Sequence, residues 1–197
     1  MSELRPRRLL EVFGRHGCRG IVIGGIAAAM YGLTYETDDL DLLCAQSAGD
    51  LALLAAALTE LGALVAGSTS APRRIEPSLL SGFRILTFMT DAGDVDLLFE
   101  AAGGWRYEDL VAESVPVDLG GAEVRICSRR QLIELKRASG RPHDVRAAAE
   151  LEAGQLASEV IGEVPGGEPP QAPAEPAWFA DFLRNRPASG PGEDRPT

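Results

Sequence analysis

Two short acidic segments carry the residues best suited to chemistry. In "ETDDLDLL", residues 36–43, aspartates interrupt a run whose leucines are otherwise typical of a buried β-strand. Successive side chains of a strand face opposite ways, so Asp39 and Asp41 share one face about 7 Å apart, at ~3.3 Å rise per residue. Two carboxylates at this separation can hold one or two hydrated divalent cations. The alternative to a metal site is that the two aspartates simply mark a solvated strand end.

A second segment, "GDVDLLFE", repeats this arrangement with Asp94 and Asp96 on one face. If the two strands are neighbours in a sheet, Asp39, Asp41 and Asp96 converge on one point. Asp94 is the rival third carboxylate if the register slips by two residues; Asp96 is preferred because two leucines follow it, as they follow Asp41. Oxygen ligands of this kind suit Mg²⁺, and a two-ion site would serve phosphoryl or nucleotidyl transfer from an NTP.

Two glycines offer a place for the phosphates of such a substrate. Gly24 and Gly25 in "IVIGGIAAAMYG" stand at a predicted strand-to-helix junction, where missing side chains and free N–H groups let an anion approach. A tight turn is the alternative explanation. The segment is neither a Walker A loop nor a G-x-G-x-x-G fingerprint.

Alternating helical and strand patterns must position these residues. Apolar periodicity, glycine stops and a Ser128 N-cap predict an α/β or α+β domain over residues 1–162, a mixed sheet flanked by helices. The predicted order is helix to about Gly17, strand "GIVIGG", helix "IAAAMYGL", strand "DDLDLLCA", helix "AGDLALLAAALTELGA", hairpin "FRILTFMT"/"GDVDLLFE", a second hairpin through Gly120 and Gly121, and two final helices. The sequence does not give the strand order.

Residues 163–197 differ in composition from this domain. They hold eight of the thirteen prolines, which predicts a mostly disordered tail. A short aromatic helix is predicted near 176–186, and docking on its own domain is favoured over binding a partner.

Composition limits the classes of protein. A net charge of −10 argues against indiscriminate nucleic-acid binding, although arginines 73, 74, 84, 129 and 130 are candidates for gripping a polyanionic acceptor. The three cysteines fit buried free thiols rather than a disulfide framework or zinc cluster. No apolar run is long enough to span a membrane and no signal-peptide pattern opens the chain, so a cytoplasmic protein is expected.

Together, these motifs resemble a known family. Gly24 and Gly25, thirteen intervening residues, "DLD" preceded by Thr37, and the later "VDLL" resemble the nucleotidyltransferase fold of the DNA polymerase beta superfamily. The stretch from Val115 to Leu151 resembles the small bacterial nucleotidyltransferases related to abortive-infection toxins of type IV toxin–antitoxin systems. The resemblance covers roughly Gly20 to Leu151.

The resemblance implies roles for particular residues. Asp39, Asp41 and Asp96 would ligate Mg²⁺, with Asp96 also deprotonating the acceptor hydroxyl. The implied nucleotide-binding residues are Gly24, Gly25 and Thr37, with Lys136, Arg141 and Asp144 either contacting the triphosphate or holding the last two helices in register. Lys136 is notable as the single lysine beside 18 arginines. Tyr31 and Tyr35 stand where relatives often carry a histidine and a basic residue.

The implied activity is transfer of a nucleoside monophosphate from an NTP to an acceptor hydroxyl. A toxin-like enzyme would modify tRNA or a protein and would have an antitoxin partner, whereas a resistance-like enzyme would modify a small-molecule antibiotic. A non-catalytic module of the same fold, binding a nucleotide or a protein partner, is the alternative from another class.

Overall fold

A seven-stranded mixed sheet forms the centre of the molecule. The computed structural model describes residues 4–33, 37–68, 74–119 and 122–162, and only the backbone over 155–162. The strands are β1 (Gly20–Val22), β2 (Asp39–Cys44), β3 (Leu64–Val65), β4 (Ile85–Thr90), β5 (Gly93–Leu98), β6 (Val115–Asp118) and β7 (Glu123–Ile126). Their order across the sheet is β3-β4-β5-β2-β1-β7-β6.

Six α-helices accompany the sheet over the described residues. They are α1 (Pro6–Arg15), α2 (Gly24–Met30), α3 (Ala48–Glu60), α4 (Tyr107–Leu110), α5 (Arg129–Ser139) and α6 (Pro142–Gly162), with 3-10 turns at Pro77–Leu80 and Ala102–Gly104. This mixed sheet with helices confirms the predicted fold class.

The central strands supply the core. β2 runs parallel to β5 and antiparallel to β1, and the leucines of β2 are almost completely buried. Leu40 and Leu42 fill one face of β2, and Leu43 on the other face is buried as well. β2 is therefore an interior strand on which only the aspartates keep contact with a cleft.

Local signals in the sequence explain several element boundaries. α3 and α5 begin with capping boxes at Ser47 and Ser128, in which each serine hydroxyl accepts from the N–H three residues on. α5 ends at Gly140, whose φ of +66° suits glycine. The predicted β4–β5 hairpin and the Ser128 cap are confirmed, and α2 starts at Gly24 itself rather than after the glycines.

Some other elements of the structure were not predicted from the sequence, and some predictions lie outside the described residues. The short strand β3 and the single-turn helix α4 were not predicted, because two and four residues are too few to show a period. Cys44 and Cys127 are buried free thiols and Cys18 is partly buried. The tail, the aromatic segment and the Gly120–Gly121 turn lie outside the described residues. No helix among those described is long and apolar enough to cross a membrane.

Candidate active site

Three carboxylates converge where β2 and β5 run side by side. The parallel register places Asp41 opposite Asp96 and Asp39 opposite Asp94. One carboxylate oxygen from each of Asp39, Asp41 and Asp96 lies within 4.8 Å of the other two, and all three side chains are partly buried. Asp94 shares their face of the sheet but is not part of this cluster. The convergence expected from the sequence is present, and the ligand role of the three residues remains a prediction.

Each carboxylate of the cluster accepts a hydrogen bond from an uncharged donor. The Thr37 hydroxyl donates to Asp39 Oδ1 at 3.0 Å, and the Thr87 hydroxyl donates to Asp96 Oδ1 at 2.6 Å. The backbone N–H of Gly25 donates to the Asp41 carboxylate. These bonds orient the acids but bring no formal positive charge.

The three carboxylates consequently have little positive charge nearby to balance their negative charge. Burial, and then the neighbouring Asp39 and Asp96, raise the pKa of Asp41 to about 7, against smaller opposing effects of the Gly25 N–H and the Arg141 guanidinium. Burial also raises the pKa of Asp96, although the Thr87 hydroxyl bond partly offsets this. No lysine or arginine within the described ranges forms an ion pair with the three acids. A divalent cation would supply the missing charge, and the oxygen-only donor set fits Mg²⁺.

The two glycines are required by their neighbours in the fold. Gly24 has φ +64°, and a Cβ there would overlap the Asp41 carboxylate. A Cβ at Gly25 would overlap the Thr37 side chain. The close approach of Asp41 and Thr37 thus explains the glycines without a ligand, and phosphate binding at this junction stays a prediction.

A network of polar side chains lies opposite the acidic cluster, where α5 meets α6. Lys136 Nζ donates to Asp144 Oδ1 at 2.9 Å, and both side chains are about 95% buried. Asp144 Oδ2 accepts from the Ser139 hydroxyl at 2.6 Å and from Arg141 Nε at 2.7 Å. Burial alone would raise the pKa of Asp144, but the hydrogen bonds from Ser139 and Lys136 lower it to about 2. This geometry favours the helix-register role for Lys136 over direct triphosphate contact.

Arg141 differs from Lys136 in its exposure. Its side chain is 66% exposed and lines the same cleft as the three aspartates. Only its Nε is used by Asp144, so its terminal nitrogens are the better placed to meet an anion. Of the two cations that the resemblance implies, Arg141 is the accessible one.

A cleft of about 500 Å³ lies between the acidic cluster and the α5–α6 wall. Its lining combines the polar groups above with an apolar part formed by Ile23, Ile85, Leu98, Ala101, Ala102, Leu132 and Leu135. Every site residue predicted from the sequence lines this cleft: Gly24, Gly25, Thr37, Asp39, Asp41, Asp96, Lys136, Arg141 and Asp144. The cleft therefore has room and mixed chemistry suitable for a nucleotide-sized ligand.

Sequence reasoning missed Thr87 and His143 at this site, and it named Arg84 only as a candidate for binding a polyanionic acceptor. Arg84 lines the cleft beside Glu100, to which it is paired at 2.9 Å, and His143 reaches the cleft from the first turn of α6. Thr87 could have been found, because the β4–β5 turn pairs Thr90 with Gly93 and counting outward puts Thr87 opposite Asp96. No local signal marks His143.

Of the remaining sequence candidates, Arg74 pairs with Glu76 at 3.7 Å, whereas Arg73 lies outside the described residues. Arg130 pairs with Glu113 and Glu134, away from the cleft, and the Arg129 guanidinium lies over the Tyr31 ring at 5.3 Å. The Tyr31 hydroxyl donates to the Cys127 carbonyl at 2.9 Å, which ties α2 to the end of β7. Tyr31 therefore has a structural contact, and Tyr35 lies outside the described residues.

Comparisons with known proteins add only loose structural similarity. No family model matches the chain, and no curated protein matches it. Among solved structures, the solution structure of the antibiotic-resistance factor ANT(2'')-Ia has a TM-score of 0.47 at 17% identity, covering 78% of this chain and 88% of that one. A crystal structure of ANT(2'')-Ia in complex with adenylyl-2''-tobramycin has a TM-score of 0.45 at 17% identity, covering 76% and 91%. Similarity at this level assigns neither a family nor an activity.

Proposed function

We propose that the protein is a divalent-metal-dependent nucleotidyltransferase, which moves a nucleoside monophosphate from an NTP to an acceptor hydroxyl. The observation that carries this proposal is the convergence of Asp39, Asp41 and Asp96, which form no ion pair with any described lysine or arginine, in a cleft of about 500 Å³. The family resemblance of the sequence motifs points the same way.

Each acid has a defined part in the proposed reaction. Asp39, Asp41 and Asp96 would hold Mg²⁺, with two ions expected; the metal would supply positive charge against the phosphates. The acceptor oxygen forms a bond to the α-phosphorus as the bond to the β-phosphate oxygen breaks, and pyrophosphate leaves. Asp96, which lies on β5, would take the proton of the acceptor hydroxyl.

The opposite wall would bind the nucleotide. Arg141 extends its exposed guanidinium into the cleft while its Nε is held by Asp144, an arrangement that pre-orients a cation for phosphate oxygens. Lys136 would act through Asp144 by holding α5 against α6. Gly24 and Gly25 would leave space for phosphates next to Asp41, and Thr37 would keep Asp39 oriented.

The acceptor defines the finer proposal. On the family resemblance, the acceptor is tRNA, a protein or a small molecule, and a toxin-like role would bring an antitoxin protein as a partner. Mass spectrometry of RNA, protein and small-molecule fractions after incubation with mixed NTPs and Mg²⁺ would show which fraction gains the mass of a nucleoside monophosphate.

The direct test is transfer of label from an α-³²P-labelled NTP, with Mg-NTP binding measured by calorimetry. Wild type should bind Mg-NTP and form labelled product, whereas Asp39→Ala/Asp41→Ala should form none with an intact fold by circular dichroism. Asp94→Asn is a matched control, because Asp94 lies on the same face outside the cluster. Binding without any product would favour the non-catalytic module, and failure of wild type to bind Mg-NTP would refute the proposal.

A further inference from the structure

Thr87 is the one polar side chain of β4 that bonds to the acidic cluster. It lies directly opposite Asp96 in the antiparallel β4–β5 pair, and its hydroxyl donates to Asp96 Oδ1 at 2.6 Å. The adjacent positions of β4 on either side, Leu86 and Phe88, are buried apolar residues on the other face. A threonine here therefore presents its hydroxyl to the face that carries the acids.

The three donors to the cluster differ in what else they do. The Gly25 N–H belongs to the backbone, and the Thr37 hydroxyl also approaches the Asp39 carbonyl at 3.4 Å, so its contacts are with a residue two positions along the chain. Thr87 instead reaches Asp96 from a neighbouring strand nine residues earlier in the chain. The hydroxyl bond thus fixes the Asp96 carboxylate relative to β4 as well as to its own strand.

We propose that Thr87 is a positioning residue that holds the Asp96 carboxylate in the orientation needed to complete the metal site. This inference rests on the proposed function, since it assigns a supporting role at the same site. By occupying Oδ1 from the β4 side, the hydroxyl bond would leave the other oxygen of Asp96 for the metal. Groups that orient a metal-binding carboxylate by a hydrogen bond commonly contribute ~10- to 100-fold to metal affinity or activity.

The test measures Mn²⁺ binding to the full chain. Binding is monitored through the decrease in the EPR signal of free Mn²⁺. Thr87→Val keeps the shape and strand preference but removes the hydroxyl, and Thr87→Ala removes it with a different shape. Both should weaken Mn²⁺ binding by ~10-fold or more, whereas Thr87→Ser, which keeps the hydroxyl, should stay within ~3-fold of wild type. A role in packing alone would make the serine and alanine variants alike.

Thr90→Val is the matched control. Thr90 lies on the same strand and donates to the Gly93 carbonyl at 2.6 Å, so this variant also loses a buried threonine hydroxyl but does not touch the cluster. It should lower the thermal midpoint and leave Mn²⁺ affinity unchanged. In the transfer assay, Thr87→Val should lower kcat with little change in the KM for NTP.

The outcomes separate this inference from the proposed function. If wild type binds Mn²⁺ and Thr87→Val binds it equally well, the role of Thr87 is wrong and the metal site stands. If wild type shows no saturable Mn²⁺ binding, the metal site and the role of Thr87 fail together. Equal weakening by Thr90→Val would assign the effect to general destabilisation and would also overturn the inference.

Discussion

The buried Asp144 on one wall of the cleft and the partly buried acidic cluster on the other have opposite charge environments. Asp144 accepts from Lys136, Ser139 and Arg141, and its pKa is lowered to about 2. Burial and two neighbouring acids raise the pKa of Asp41 to about 7, against only smaller opposing effects of the Gly25 N–H and the Arg141 guanidinium. The same side-chain type is thus neutralised by the protein on one wall and left largely uncompensated on the other.

This difference shows which wall the fold completes by itself. A buried carboxylate is costly unless charge and hydrogen bonds surround it, and the α5–α6 wall supplies both within the chain. The β2–β5 wall supplies only uncharged hydrogen-bond donors, and under the proposed function a divalent cation from outside would supply the missing charge. The Asp144 group therefore serves as structural support, and our proposal places the reactive centre at the Asp39, Asp41 and Asp96 cluster.

The largest expected effect is on the uncompensated wall. Asp41→Asn should reduce nucleotidyl transfer by about 1,000-fold or more, because metal binding at such sites contributes several kcal/mol. The same change should raise the thermal midpoint of the metal-free protein, since it removes a charge repelled by its two neighbours. Differential scanning fluorimetry with and without Mg²⁺ measures both the rise and the loss of metal-induced stabilisation.

A comparison of the single variants Asp94→Asn and Asp96→Asn tests which residue of β5 completes the site. Asp96→Asn should behave like Asp41→Asn, whereas Asp94→Asn should retain most of the activity and the metal-induced shift. The reverse result would mean that Asp94 is the third carboxylate and would contradict the register described above.

On the compensated wall, the expected effect is on stability. Lys136→Met removes one partner of a buried ion pair and should cost about 3 to 5 kcal/mol in the free energy of unfolding, measured by urea denaturation. The double variant Lys136→Met/Asp144→Leu should recover part of that loss, because no unpaired charge is left buried. If Lys136→Met unfolds like wild type but loses NTP binding, Lys136 contacts the ligand directly.

The lowered pKa of Asp144 predicts a specific dependence on pH. Because the carboxyl titrates near 2 in the folded state and near 4 when unfolded, its contribution of about 2 kcal/mol is complete above about pH 4. It is lost as the pH falls toward 2. Urea midpoints of wild type and Asp144→Asn should therefore differ most near neutral pH and converge in acid; a difference independent of pH would contradict this account.

The smallest expected change in stability is at Arg141, which belongs to the compensated wall but is exposed. Arg141→Gln should alter the free energy of unfolding by about 1 kcal/mol or less, because exposed ion pairs contribute little. It should nevertheless weaken NTP binding by roughly tenfold, a loss of about 1.4 kcal/mol from a charge-assisted bond. Arg137→Gln is a suitable control, since Arg137 is a similarly exposed residue of α5 paired with Glu152 and does not line the cleft.

Several parts of this structure were accessible from local patterns. The hairpin turn after Thr90, the serine cap at Ser128 and the alternation in "DLDLL" each depend on residues close in sequence, where chemistry and spacing determine the conformation. Short elements such as α4 were missed because they carry no measurable period. His143 was missed, and the position of Arg84 in the cleft was not predicted, because both depend on elements that are distant in sequence.

The sequence by itself determined which faces the aspartates occupy and that two acidic strands exist, because a strand has a fixed period of two. Only the tertiary structure decided that β5 lies parallel to β2 in the register that brings Asp96 beside Asp41, and that Lys136 meets Asp144. Strand order and helix packing are set by burial of apolar surface across the whole chain. The opposite charge environments of the two walls follow from that packing, which no local pattern encodes.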